Sequence, residues 1–177
     1  MRQVLLLRGI NIGPRNRISM PSLRERLTAA GFVDVRTHLQ SGNIVLCSDA
    51  SPEQLAGECR RLIADGYGLN IDVVARTGEE LAGVVRRNPL AEVAVDPKRY
   101  QVSFCSEEPD EELVHRLSAL AAPAERLVAA GRELYAWHPD GIARSRLWAE
   151  LGGRRMGMTV TSRNWTTVTT LLAIAQE

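Results

Sequence analysis

Close to its start the chain runs Arg8-Gly9-Ile10-Asn11-Ile12-Gly13, a string that pairs strong hydrogen-bond donors with glycines. A guanidinium forks onto phosphate or carboxylate, an amide both donates and accepts, and glycine lets a ligand approach the backbone closely. The chemistry on offer is anion binding, and Arg17 extends it. A second set, Ser41-Gly42-Asn43, adds a hydroxyl and an amide. A third lies near the far end, where Ser145 and then Arg163-Asn164-Trp165 carry donors beside an indole. Each set also has a plain structural use. Glycines relieve backbone strain, a hairpin turn needs residues such as Ser41, Gly42 and Asn43 whether or not anything binds, Ser145 can cap a helix, and Trp165 can anchor a core.

The charge pattern reinforces the anion reading. Net charge is only +1, yet residues 1–24 hold Arg2, Arg8, Arg15, Arg17 and Arg24 with no acid, and residues 144–163 hold Arg144, Arg146, Arg154, Arg155 and Arg163 against Glu150 alone. The stretch between is acidic. Lys98 is the only lysine, so much of the arginine count reflects a compositional preference, but its placement in two blocks does not.

Other chemistries are poorly represented. The loop string lacks the Lys-Ser/Thr of a P-loop and the third glycine of a dinucleotide fingerprint. No nucleophile elbow appears, no carboxylate pair sits in a glycosidase setting, and no Ser-His-acid set can be assembled from chain order alone. Cys47, Cys59 and Cys105 form no CxxC pair, and His38, His115 and His138 show no ligand spacing, so neither a metal nor another cofactor is expected. Cys47 would be nucleophilic only if nearby arginines lowered its pKa; a buried, inert thiol is the alternative.

These residues need elements to hold them. Residues 2–8 read as a strand, and a helix follows from Pro21 to a stop at Gly31. Strands at 33–39 and 44–47 flank the Ser41 turn. Ser51 and Gln54 open a second helix that ends at Gly66-Tyr67-Gly68, and 71–75 is a fourth strand. Thr77 and Glu80 open a helix stopped by Asn88-Pro89, and 90–99 is a linker. Then come a strand at 100–105, an acid-led helix from about Asp110, a hairpin of 126–130 and 133–137, a short helix over 142–151, a loop, and a last helix from about Arg163. The expected fold class is α+β. Residues 1–76 form a ferredoxin-like split β-α-β-β-α-β subdomain, 77–99 a helix and linker, and 100–177 an incomplete β-α-β-β-α copy with a C-terminal helix, packed as one unit. In such a topology the loop after the first strand, the Ser41 turn and the 66–70 segment meet at one sheet edge.

The strings Leu6-Leu7-Arg8-Gly9-Ile10-Asn11-Ile12-Gly13, Gly31-Phe32 and Gln40-Ser41-Gly42-Asn43, with Asp140-Gly141-Ile142 and Ser162-Arg163-Asn164-Trp165 towards the end, resemble the domain of unknown function 1697 family. The resemblance spans nearly the whole chain. It implies a fold of α+β subdomains and no established activity. The family usually carries another glycine where this chain has Pro14, which implies a stiffer loop.

The leading functional expectation is a binding module for a phosphate-bearing ligand, a nucleotide or short nucleic acid, held by Arg8, Gly9, Asn11, Gly13, Arg17, Ser41, Gly42, Asn43, Ser145, Arg163 and Asn164 between the two basic halves. Aromatics are 5%, with none in the first loop, which disfavours base stacking on a sheet. The alternatives are an enzyme acting on a small anionic or phosphorylated metabolite and a protein-interaction or oligomeric scaffold. No segment reads as a membrane span or export signal, so a cytoplasmic setting is expected.

Overall fold

The elements run β1 (Arg2–Leu7), α1 (Met20–Ala29), β2 (Val33–His38), β3 (Asn43–Cys47), α2 (Pro52–Tyr67), β4 (Val73–Thr77), α3 (Gly78–Arg87), β5 (Tyr100–Cys105), α4 (Glu111–Ser118), β6 (Arg126–Ala130), β7 (Glu133–Trp137), α5 (Arg146–Leu151), β8 (Val160–Asn164) and α6 (Trp165–Gln176). They come from a computed structural model that describes all 177 residues. The chain divides into a first unit, Met1–Gly83 with Thr170–Glu177, and a second, Val84–Thr169. The end of α6 thus returns to the first unit, where the sequence alone had kept it with the second half. The terminal Glu177 carboxylate pairs there with Arg36, which also bonds Asp34.

In the first unit the sheet order is β2-β3-β1-β4 and every neighbouring pair is antiparallel, the arrangement of a split β-α-β unit. The apolar run Val4 to Leu7 explains why β1 is central: all four residues are buried, so only a strand flanked by two others and covered on both faces suits it. Leu5, Leu7, Ile44 and Leu46 share one face with Leu23 and Leu27 of α1 and Leu55 and Ile63 of α2. Each such side chain contributes about 1.5–3 kcal/mol on full burial.

Local codes place the helices. Ser19 accepts from the Ser22 N–H ahead of α1, with Pro21 in the first turn. Ser51 and Gln54 bond each other's backbone N–H in a reciprocal box ahead of α2, which ends on Gly68 at φ +65°. Thr77 and Glu80 repeat the box ahead of α3.

The second unit repeats the plan with order β6-β7-β5-β8, again antiparallel throughout. Its copy is complete. The strand that the sequence reading lacked is β8, which occupies residues assigned there to a loop and the first turn of the last helix; α6 begins at Trp165 rather than Arg163. β8 is an edge strand paired only with β5, so it needs little apolar surface, and Thr-Ser-Arg-Asn reads locally as a loop leading to a cap. α5 is also shorter than expected, starting at Arg146 instead of Ile142.

One face of this second sheet, with Cys105, Leu134, Ala136 and Val160, packs beneath Leu113 and Leu117 of α4 and Leu147 and Leu151 of α5. On the other, Tyr100 stacks on Trp165 at 4.8 Å and the Tyr135 hydroxyl donates to the Val84 carbonyl at 2.9 Å. Trp165 is therefore a packing residue. Burial pushes the Tyr100 phenol up to about 12. No helix is long and apolar enough to cross a membrane.

Candidate functional site

The first unit draws three connections to one edge of its sheet. β1 runs towards that edge and β3 and β4 start from it, since Leu6 lies opposite Asn43 and Leu7 opposite Val73. Backbone bonds then stitch the connections together. Leu7 N–H donates to Gly42 O at 2.8 Å, and Arg8 N–H to Asp72 O at 2.9 Å, so the third segment arrives through Asp72 rather than 66–70.

Within this edge most of the expected ligand-binding amides already have partners. Asn11 donates through Nδ2 to Gln40 O at 2.7 Å and Ile18 O at 2.9 Å, and its Oδ1 accepts from Ile18 N–H at 2.9 Å. It closes the loop on itself and pins it to the hairpin. Asn43 is wholly buried, with Nδ2 on His38 O and on Ser41 Oγ, each at 3.0 Å. Both asparagines build the edge, because a buried amide without partners would cost several kcal/mol.

The glycines divide by cause. Gly42 has φ +81°, and a Cβ there would lie 2.5 Å from the Leu7 Cβ and 3.0 Å from the Ile10 Cδ1, so close packing demands it. Gly9 and Gly13 also have positive φ, at +67° and +76°, but nothing lies within 4 Å of where a Cβ would stand. Their backbone is open to a ligand. The outward surface of the edge consists of Arg15, Arg17 and Ser41, with Ile12 77% and Leu39 58% exposed. Leu39 sits at φ +58°, a left-handed conformation that is strained for a bulky side chain. Arg8 is half-buried at the root of the loop.

Ser145, Arg163 and Asn164 belong to the second unit, and each has an internal task. The Ser145 hydroxyl accepts from Trp148 N–H at 3.0 Å and so caps α5. Asn164 Oδ1 accepts from Thr167 N–H at 2.9 Å and caps α6. Arg163 lies buried in β8, where its guanidinium donates to Thr161 Oγ1 and Ser162 O at 2.8 Å. Burial pushes its pKa down to about 10, which leaves it charged at neutral pH.

The second unit also assembles residues that chain order did not connect. Glu125, immediately before β6, His138, immediately after β7, and Ser145 meet at one end of the sheet. Ser145 Oγ donates to Glu125 Oε2 at 2.7 Å, His138 Nδ1 bonds the same oxygen, and Ala122 N–H donates to Oε1 at 3.0 Å. The residue types are those of a hydrolytic triad, but the geometry is not. Serine and carboxylate both sit on the Nδ1 side, with Ser145 Oγ 3.4 Å from Nδ1, so no imidazole nitrogen is placed to take the serine proton towards a substrate. The cluster is a clamp. Burial pushes the Glu125 carboxyl up, but the bonds from Ser145, the Ala122 N–H and His138 outweigh it and hold the pKa below the ordinary glutamate value.

Beside the clamp opens a cavity of about 710 Å³. Its lining includes Ala119 to Pro123, Glu125, Asp140, Arg144, Ser145 and Arg146. Sequence reasoning had Ser145 but missed Glu125 and His138. A lone Glu and a lone His at these spacings carry no signature.

No disulfide joins the three thiols; Cys59 and Cys105 are buried and Cys47 half-buried. Burial pushes Cys59 up to about 12. No three His, Cys, Asp or Glu side chains converge as metal ligands.

Comparison with known proteins bears on this arrangement. The chain is similar along 98% of its length, and along 98% of the other chain, to the solved structure of the conserved bacterial protein SP0830 from Streptococcus pneumoniae, with a TM-score of 0.79 at 24% identity. That likeness shows the fold. No curated protein matches. The model of the family described as protein of unknown function (DUF1697) matches residues 1–135, which takes in the first unit's loop edge and Glu125 but stops short of His138, Ser145 and the closing Ser162 to Trp165 string. On the strength of that match, the chain belongs to the DUF1697 family.

Proposed function

We propose that the chain binds a phosphate-bearing ligand, a nucleotide or a short nucleic-acid strand, across the loop edge of the first unit. One observation carries the reading: the acid-free arginines of the first loop fold onto a ridge whose glycine backbone is open. Arg15 and Arg17 are exposed there, and Gly9 and Gly13 leave the main chain accessible between them and Arg8. Arginine forks suit phosphate oxygens, and exposed glycine N–H groups can add to them. Ile12 and Leu39 flank the ridge with apolar surface on which a sugar or base can lie. An open edge with arginines and no aromatic platform favours contact with the phosphate chain over reading of bases.

Fluorescence anisotropy of a labelled short single-stranded oligonucleotide, repeated over a range of salt, tests this. Affinity should fall steeply with salt. In the Arg15→Ala/Arg17→Ala variant the log–log slope should become shallower by about 0.7 for each phosphate that the protein no longer neutralises. Affinity that ignores salt, or that the double variant leaves unchanged, refutes the reading.

A further inference from the structure

The cavity of the second unit shares no residue with the loop edge, and its chemistry is different. We propose that it is a separate small-molecule site for a phosphomonoester whose ring body carries an N–H or O–H donor, the chemistry of a nucleoside monophosphate.

Four features lead there. The volume, about 710 Å³, falls within the range of about 300–1,000 Å³ typical of sites that enclose small organic ligands. Arg144 and Arg146 flank Ser145 and are exposed, with no carboxylate in ion-pair contact. Arg116 close by, by contrast, is neutralised by Glu150. Two uncompensated guanidinia on the lining of a cavity are matched by a dianionic phosphate.

Glu125 carries the opposite demand. Glu125 is ionised at neutral pH because its hydrogen bonds hold it so, and it lines the cavity. A carboxylate offers about four lone-pair sites. Ala122 N–H, Ser145 Oγ and His138 Nδ1 use three of them, which leaves room for one donor from a ligand. Asp140, also on the lining, adds to the negative side. A bare anion would be attracted by the arginines and repelled by Glu125, so the occupant that suits both carries a phosphate and a hydrogen-bond donor.

The apolar lining decides what joins them. Ala119, Leu120, Ala121, Ala122 and Pro123 add apolar side chains, a surface that accepts the face of a ring. A phosphate, a ring and an amino or imino donor in one small molecule describe a nucleoside 5′-monophosphate. The site goes beyond strand binding at the first unit and does not depend on it.

Isothermal titration of the full chain with the four 5′-mononucleotides tests the assignment, with the matching nucleosides and inorganic phosphate as further titrants. At least one mononucleotide should bind with one-to-one stoichiometry, its nucleoside and inorganic phosphate at least about tenfold more weakly. Arg144→Ala/Arg146→Ala should weaken the nucleotide about tenfold or more, the scale of one or two charge-assisted hydrogen bonds. Ala122→Leu, which enlarges a lining side chain and removes no side-chain partner of Glu125, should also weaken it. Arg15→Ala/Arg17→Ala should leave nucleotide binding intact, and a failure of the wild-type chain to bind the oligonucleotide counts only against the loop-edge reading. The assignment is overturned if none of the four nucleotides binds, if inorganic phosphate binds as tightly as they do, or if binding survives unchanged in either cavity variant.

Discussion

Gly42→Ala probes the joint on which the loop edge is built. The added Cβ would stand 2.5 Å from the Leu7 Cβ and 3.0 Å from the Ile10 Cδ1, at a φ of +81°. Two costs follow. A left-handed alanine loses about 1–2 kcal/mol relative to glycine whatever its surroundings. The methyl must also push aside a Cβ that belongs to the central strand, and overpacking of that kind costs about 1–3 kcal/mol. Gly13→Ala supplies the control, since it has φ +76° with nothing within 4 Å and incurs only the conformational cost. Urea denaturation should therefore show Gly13→Ala less stable than the wild type by about 1–2 kcal/mol and Gly42→Ala by about 2–5 kcal/mol, a large part of a typical stability of about 5–15 kcal/mol. The difference between the variants isolates the packing of the hairpin against β1. Equal destabilisation would mean that the hairpin does not seat against Leu7, and with it the convergence of the three connections would fail.

Two further outcomes follow from the second unit and the thiols. Because the Glu125 pKa in the folded chain lies below its ordinary value of 4.5, the stabilisation it supplies is fully present above that value and disappears as pH falls through the folded one. The stability gap between wild type and Glu125→Gln, measured by urea denaturation at a series of pH values, should thus be widest near neutrality and shrink in acid; a gap that does not change with pH contradicts the clamp. In a thiol titration with an aromatic disulfide reagent, Cys47 should react in the native protein while Cys59 and Cys105 react only on unfolding. Prompt reaction of all three would contradict the burial.

Much of the first unit was legible because its signals are local. Ser51 with Gln54 and Thr77 with Glu80 announce helix starts within four residues, and Ser41-Gly42-Asn43 announces a turn between two apolar runs. Once the order β-α-β-β-α-β is read, handedness and antiparallel pairing bring Arg8, Ser41 and the start of β4 to one edge without any coordinate. In the second half the same logic required a strand before the last helix. Val160-Thr161-Ser162-Arg163-Asn164 carried too little apolar alternation to announce it, and only the parallel with the first half could have.

What a side chain does once it reaches its place is another matter. Asn11 and Asn43 looked like ligand donors because amides in a loop usually are free; here carbonyls distant in the chain claim them. Arg163 and Arg146 are alike in sequence, yet one is buried by the register of β8 against β5 and the other stands exposed beside a cavity. Glu125, His138 and Ser145 meet because a hairpin folds and a helix begins at the same end of a sheet, a coincidence with no spacing to betray it. Element type and order depend mostly on interactions within a few residues, so the chain alone determined them everywhere but at the edge strand β8. Burial, hydrogen-bond partners and charge compensation depend on which distant segments arrive alongside, and only the tertiary structure could decide those.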